Sequence, residues 1–258
     1  MQREFLNAIC NGRENEVKKI LEEKKDIDVN CTDCIKWTAL HSACNYGHEK
    51  IVAMLLAHPN IDVNQKSNSG MTPFSLACFQ GRTTCARLLL KDDRVKVNEP
   101  NSTGNTPLWY AAHYGYIEII KWWVASEREM CLGQSGNENN DAIGIAKDLL
   151  ETKVVCLLER FRDHPNETRY EMRVKLECFD LITAEMFALM VFLSDGLLKD
   201  KEGKMSKAAR FFRITKELPL ELQMILCHRV AGSMGTNIPV GRSELAFRKL
   251  ARGLLLLN

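Results

Sequence analysis

Four soft ligand residues sit close together near the start of the chain. Cys31, Cys34, His41 and Cys44 spell C-x2-C-x6-H-x2-C, a spacing that a tetrahedral zinc site could use. The competing reading is structural, with small apolar cysteines and one histidine at fixed positions of a periodic helical pattern. Cys227 and His228 also look like a nucleophile and base, but adjacent residues on a helix point about 100° apart and cannot pair. Asn166-Glu167-Thr168 matches a glycosylation sequon, which is an accident of composition in an intracellular protein. The chain has no phosphate-binding glycine loop, no H-E-x-x-H, no G-x-S-x-G and no kinase signature. Catalytic residues, cofactor and metal are therefore expected to be absent, and an unexplained metal in the purified protein would argue otherwise.

The elements that carry these residues follow a period. Thr38, Thr72 and Thr106 are each 34 residues apart, as are Gly47, Gly81 and Gly115, and Asn30, Asn64 and Asn98. The aligned blocks read W-T-A-L-H-S-A-C-N-Y-G-H from Trp37, M-T-P-F-S-L-A-C-F-Q-G-R from Met71 and N-T-P-L-W-Y-A-A-H-Y-G-Y from Asn105. Threonine before an apolar run supplies an N-cap oxygen, and Pro73 and Pro107 fall at the first helical position, where the missing N–H costs nothing. Ala43, Ala77 and Ala111 keep this first helix thin, and the glycines end it. A second helix follows, with Leu55, Leu56, Leu88, Leu89, Leu90, Trp122 and Trp123 on a face that one repeat cannot bury alone.

These blocks, the I-V-x-x-L-L segment at residues 51–56 and the D-V-N ending at residues 62–64 resemble the ankyrin repeat, T-P-L-H-x-A-A-x-x-G-H. The resemblance covers residues 1–162. It comprises three clear repeats at 33–66, 67–100 and 101–134, a first repeat worn down to a cap around Phe5 and Val17, and a closing repeat around residues 141–161. His41 keeps the motif histidine, which Ser75 and Trp109 replace in the next two repeats. Repeat two is also poor in the acidic hairpin residue, so less regular stacking is expected in these two repeats. The Gly-, Asn- and Ser-rich insert from Cys131 reads as an exposed loop.

The family resemblance implies an all-α solenoid of helix pairs with short hairpin loops, and a non-catalytic scaffold that binds a protein partner on its concave face. Carried over position by position, the candidate contact residues are Trp37, Met71 and Asn105 before the motif threonines. The pairs before the glycines add Asn45 and Tyr46, Phe79 and Gln80, and His113 and Tyr114. The row is aromatic, which suits an interface centre. Alternatively, rings such as Trp37, Phe79 and Tyr114 pack on a neighbouring repeat or on the C-terminal domain.

Composition restricts the partners. With 45% apolar and 26% charged residues the chain is expected to be folded and soluble, and a net charge of +2 with interspersed signs offers no nucleic-acid face. Residues 1–23 lack the apolar core of a secretory signal, and most of the ten cysteines sit in apolar patterns, so a reducing, cytoplasmic location is expected, a nuclear one being the alternative. The greasiest stretch, residues 181–198, contains Glu185 and Asp195 and reads as a core helix and not a membrane span.

Residues 163–168 lose periodicity and read as a linker, followed by a small helical bundle over 169–258. Leu176, Phe179, Ile182, Met186 and Met190 suggest one long amphipathic helix ending near Gly196, with further helices over 208–216, 218–230 and 243–257. The string L-P-L-E-L-Q-M-I-L from Leu218 is similar to the opening of an F-box. That likeness implies an alternative role as substrate receptor of a cullin-type ubiquitin ligase, although the usual downstream aspartate and tryptophan are missing.

Overall fold

The computed structural model describes residues 2–24, 27–126, 128–133 and 141–178. The chain divides into two units, residues 1–172 and 173–258. Among the described residues there are eleven α-helices and no strands, only an isolated bridge between Thr32 and Thr38. No helix among them is long and apolar enough to cross a membrane.

The first ten helices form five antiparallel pairs: α1 (Gln2–Cys10) with α2 (Glu14–Glu23), α3 (Ala39–Tyr46) with α4 (Glu49–Leu56), α5 (Pro73–Phe79) with α6 (Thr83–Lys91), α7 (Pro107–His113) with α8 (Ile117–Ala125), and α9 (Ala142–Asp148) with α10 (Thr152–Asp163). Within the row of first helices α1 packs on α3, α3 on α5, α5 on α7 and α7 on α9. The second helices stack likewise, α2 on α4, α4 on α6, α6 on α8 and α8 on α10. Helices of seven to twelve residues are marginal alone, so this stacking supplies their stability. Ala43, Ala77, Ala111 and Ala146 are all fully buried and let the first helices approach.

Helix starts follow from the threonines. The hydroxyls of Thr38, Thr72 and Thr106 accept the backbone N–H groups of His41, Ser75 and Trp109, and Pro73 and Pro107 open their helices. In α9 the cap is Asp141, whose carboxylate accepts the Gly144 N–H at 2.7 Å. The core runs through Phe5, Leu40, Leu55, Phe74, Leu108 and Trp123, all essentially inaccessible to solvent. The Phe74 and Trp123 rings meet edge to face at 5.0 Å, tying α5 to the second helix of the next pair.

Hydrogen bonds repeat with the sequence period. The Asn30 amide donates to Asn60 O and accepts Asp62 N–H; Asn64 does the same with Arg94 and Lys96, and Asn98 with Glu129 and Cys131. The last step is one residue longer, so the chain takes up an extra residue there while the bonding pattern persists. Each hairpin is closed by a polar residue: Asp33 Oδ1 accepts Trp37 N–H, Ser67 Oγ accepts Met71 N–H and Asn101 Oδ1 accepts Asn105 N–H. Ser67 thus does the work of the missing acidic residue in repeat two, and the irregular stacking expected there is not found. Successive hairpins are joined by Asn68 N–H to Ile35 O and Ser102 N–H to Ser69 O.

The expected linker at 163–168 needs correction, and Leu176, the first residue of the expected long helix, lies in a turn. Asp163 ends α10, His164 caps it, and Pro165 opens α11 (Pro165–Lys175), because proline at a first helical position breaks one helix and starts another. Leu176 and Glu177 form a turn with Glu177 at φ 55, and the Cys178 N–H reaches back to Arg173 O, closing the helix. The expected helices from Phe179 onward lie outside the described residues. Of the insert, Cys131–Gly133 is irregular but held by Asn98 and by the Ala142 N–H to Leu132 O bond.

Cys44, Cys78 and Cys85 are completely buried. Burial raises all three thiols, Cys85 to about 11, so none is a ready nucleophile. Alkylation at pH 8 should label the exposed Cys10, Cys34, Cys131 and Cys156 first, with Cys44, Cys78 and Cys85 reacting at least about 100-fold more slowly by peptide mass spectrometry. Equal rates would contradict this core.

Candidate binding surface

The soft-ligand group does not converge. His41 is fully buried, its Nε2 bonds the Met71 carbonyl at 3.0 Å, and its Nδ1 faces both the Thr38 N–H and the Thr38 hydroxyl. Both ring nitrogens are thus occupied. Cys44 lies in the core, whereas Cys34 is exposed, and no three potential ligands cluster among the described residues. The sequence spacing was compatible with a metal, but the cap at Thr38 fixes the imidazole in another direction.

The carried-over residues fall into two groups. Trp37, Met71 and Asn105 belong to the hairpin closures, where Asp33, Ser67 and Asn101 donate their N–H groups to the carbonyls at these positions. Trp37 and Asn105 are half-buried, but Met71 is buried, so its side chain is removed from the list of exposed contacts. The Met71 carbonyl accepts from His41 Nε2, and its N–H donates to Ser67 Oγ.

The pairs at the ends of the first helices form a continuous row. Gln80 Nε2 donates to Asn45 Oδ1 at 3.0 Å across the α3–α5 contact. Phe79 meets the Tyr110 and Tyr114 rings edge to face at 5.2 and 5.5 Å across the α5–α7 contact. His113 lies between Trp109, at 4.8 Å, and Tyr114, at 4.5 Å, and its Nδ1 is buried without a hydrogen-bond partner. Tyr46 stacks on His48. Tyr46 and Tyr114 remain 49% and 44% exposed, whereas Asn45, Phe79, Gln80 and His113 are half-buried. So Phe79 does pack on the neighbouring repeat, while the two tyrosines still face solvent.

Three further rings belong to this row although the motif alignment did not select them. Trp109 occupies the motif-histidine position, and Tyr110, with its hydroxyl accepting from Asn101 Nδ2 at 2.8 Å, the next one. Tyr116 follows the motif glycine, stacks on Tyr114 at 5.7 Å and lies over Gly81, where a Cβ would fall 2.7 Å from its ring. His48, Arg82 and Glu151 cover Gly12, Gly47 and Gly115 in the same way. The glycine therefore serves as a seat for the side chain one repeat ahead, as well as adopting φ values of 66 to 81°. Counting aromatic residues on both sides of each glycine would have found Tyr116.

The F-box-like string at residues 218–226 lies outside the described residues. A comparison with curated proteins gave no match. The family profile described as ankyrin repeats (3 copies) matches residues 5–67 and 59–134, half of the chain. Ankyrin repeats are in general protein–protein interaction modules and typically not catalytic. With three 34-residue blocks, N-capping threonines and stacked helix pairs, the chain belongs to the ankyrin-repeat family.

Proposed function

We propose that this protein is a non-catalytic scaffold that holds a protein partner on the face made by the ends of its first helices and the hairpins. The observation that carries the reading is the aromatic row. Tyr46 and Tyr114 are left nearly half exposed, on a base of rings already packed together. Rigid aromatic side chains supply contact area with few rotors to freeze, which is the composition of interface hot spots. Phe79, Trp109 and Tyr110 act as the base that fixes Tyr114, and the Gln80–Asn45 bond fixes the row between α3 and α5. A cytoplasmic or nuclear setting suits the free thiols of Cys31, Cys44, Cys78 and Cys85, buried as small apolar groups.

The test compares the intact chain with Tyr46→Ala/Tyr114→Ala and with Tyr46→Ala/Phe79→Ala/Tyr114→Ala in partner capture from cell extract. The double variant removes two half-exposed side chains and should keep its melting temperature, which guards against loss by misfolding. Captured partners should weaken by roughly 100-fold in affinity in the triple variant, the scale of two or three interface hot spots. Partners that persist undiminished on both variants would rule out this face.

A further inference from the structure

The residue after each motif glycine lies over the glycine one repeat back, and two of these residues perform one task with different chemistry. His48 covers Gly12, and its Nε2 bonds the Cys10 carbonyl at 3.3 Å. In the next repeat the Cγ and Cδ of Arg82 cover Gly47, and its Nε donates to the Asn45 carbonyl at 3.0 Å. Cys10 and Asn45 each stand two residues before the covered glycine, so the two bonds are equivalent. At His48 one ring N–H suffices. At Arg82 the task takes the stem and the Nε–H and leaves the two Nη groups without a bond among the described residues. Arg13, in the same register two repeats earlier, pairs with Glu16 at 3.2 Å, one turn along its helix. One turn along from Arg82 is the buried Cys85, and the first turn of α6 carries no acid. Arg82 is thus exposed, fixed at its stem and Nε across the backbone of Tyr46, and given no counter-ion by its own helix.

We propose that Arg82 receives the carboxylate of an aspartate or glutamate in the partner polypeptide, end-on through its two Nη groups, with an apolar neighbour of that acid lying on the Tyr46 ring. This rests on the protein-binding reading above and names the chemistry of the partner. Charge selects the occupant, because a guanidinium fork matches the two oxygens of a carboxylate. Lys50 is held by Glu14 at 2.9 Å and Lys121 by Glu118 at 2.7 Å, while Asn45, Gln80 and Tyr114 carry no charge. A single free cation suits one carboxylate, whereas nucleic acid requires several to replace its counterions. The opposing charge is Glu49, two residues beyond Gly47, which is exposed in the first turn of α4 and forms no ion pair with Arg82. It lowers the attraction for an acid by a screened, long-range amount, and so provides a control of predictable sign.

A random-peptide phage library selected on the intact chain supplies the probe. Selected peptides should share an Asp or Glu beside an apolar residue. For the strongest of them, exchanging the acid for its amide should weaken binding about tenfold, and Arg82→Gln should do the same. Both changes together should cost hardly more than either alone, because they remove the same pair of bonds. The peptide change leaves the protein untouched, so a lost fold cannot imitate it. Arg82→Lys, which keeps the charge but not the fork, should still bind about fivefold more weakly, and Glu49→Gln about twofold more tightly. Losses that multiply overturn the pairing, and if Tyr46→Ala still abolishes binding the face is left standing. Peptides without a shared acid overturn the carboxylate. A library with no binder sensitive to Tyr46→Ala, Tyr114→Ala or Arg82→Gln overturns both readings. Inorganic phosphate that displaces the peptide at millimolar concentration where acetate does not would make the occupant a phosphate and overturn the carboxylate as well. Finally, carbodiimide should link position 82 of Arg82→Lys to the acid of the peptide. A link instead to a carboxylate of this chain other than Glu49, within one molecule or between two copies, overturns a partner polypeptide as the occupant.

Discussion

Trp123→Ala is expected to lower unfolding stability by about 3–5 kcal/mol, the range for truncating a large buried aromatic side chain. The side chain is completely inaccessible, its ring meets Phe74 edge to face, and its indole N–H reaches Glu129 O at 3.4 Å. The cavity left behind opens between α5 and α8, which belong to successive repeats, so the loss falls on an interface between repeats and not within one. In a stack stabilised by nearest-neighbour contacts this should also reduce cooperativity, so the urea transition broadens as its midpoint falls. Trp122, one residue earlier, provides the control. It is half-exposed under the Arg87 guanidinium at 5.0 Å, and Trp122→Ala should cost no more than about 1.5 kcal/mol. Equal midpoints for the two alanine variants would mean that the tryptophan registers have been exchanged.

That contrast shows how far the sequence carries. Adjacent tryptophans were assigned together to a second helix, which is correct, but which of the two faces the core depends on where the neighbouring repeat lands. The 34-residue period of threonine, glycine and asparagine identified the first helices and their caps, because each marker answers a local backbone need that repeats with the fold. The asparagines could be seen as markers, while their task of bonding the next turn could not, since it joins residues about 30 positions apart. The glycine search also hid the equivalent turn at Leu150. A register defined by glycine reads its replacement as the end of the pattern, although the turn and its left-handed residue persist. Similarly, Met71 shares a register position with the half-buried Trp37 and Asn105, and its burial is not marked by that position. The amphipathic pattern places Leu176 in a helix because periodicity does not register a left-handed residue such as Glu177 beside it.

The second large effect is at His41. The Met71 carbonyl can only accept, so Nε2 carries the proton and Nδ1 accepts from Thr38, which fixes a neutral tautomer. In this way one side chain completes the cap of α3 and ties it to the next hairpin. Ser75 bonds Thr72 at 3.0 Å and is too short to do the second task. His41→Ala leaves the Thr38 N–H unpaired, removes one of the two bonds to the Met71 carbonyl and opens a buried cavity, and should cost about 2–4 kcal/mol in chemical denaturation. His41→Ser, copying repeat two, should retain the helix start and lose less.

The same site should give the wild type an acid-sensitive stability. Burial disfavours the imidazolium and holds the His41 pKa below its ordinary 6.5, outweighing the bond to Met71, which acts in the opposite sense. The unfolded chain binds a proton near pH 6.5 that the folded chain refuses. The contribution is therefore complete above pH 6.5 and is lost as pH falls from there through the lower folded value, at no more than about 1.4 kcal/mol per pH unit. Subtracting the His41→Ser curve of stability against pH from that of the wild type removes carboxylate and other histidine contributions common to both. The difference should be flat from pH 8 to 7 and shrink between pH 6.5 and 5. A difference that stayed constant to pH 5 would mean that His41 is protonated in the folded state, with Nδ1 donating. That would contradict its acceptance of the Thr38 N–H and the capping arrangement that starts α3.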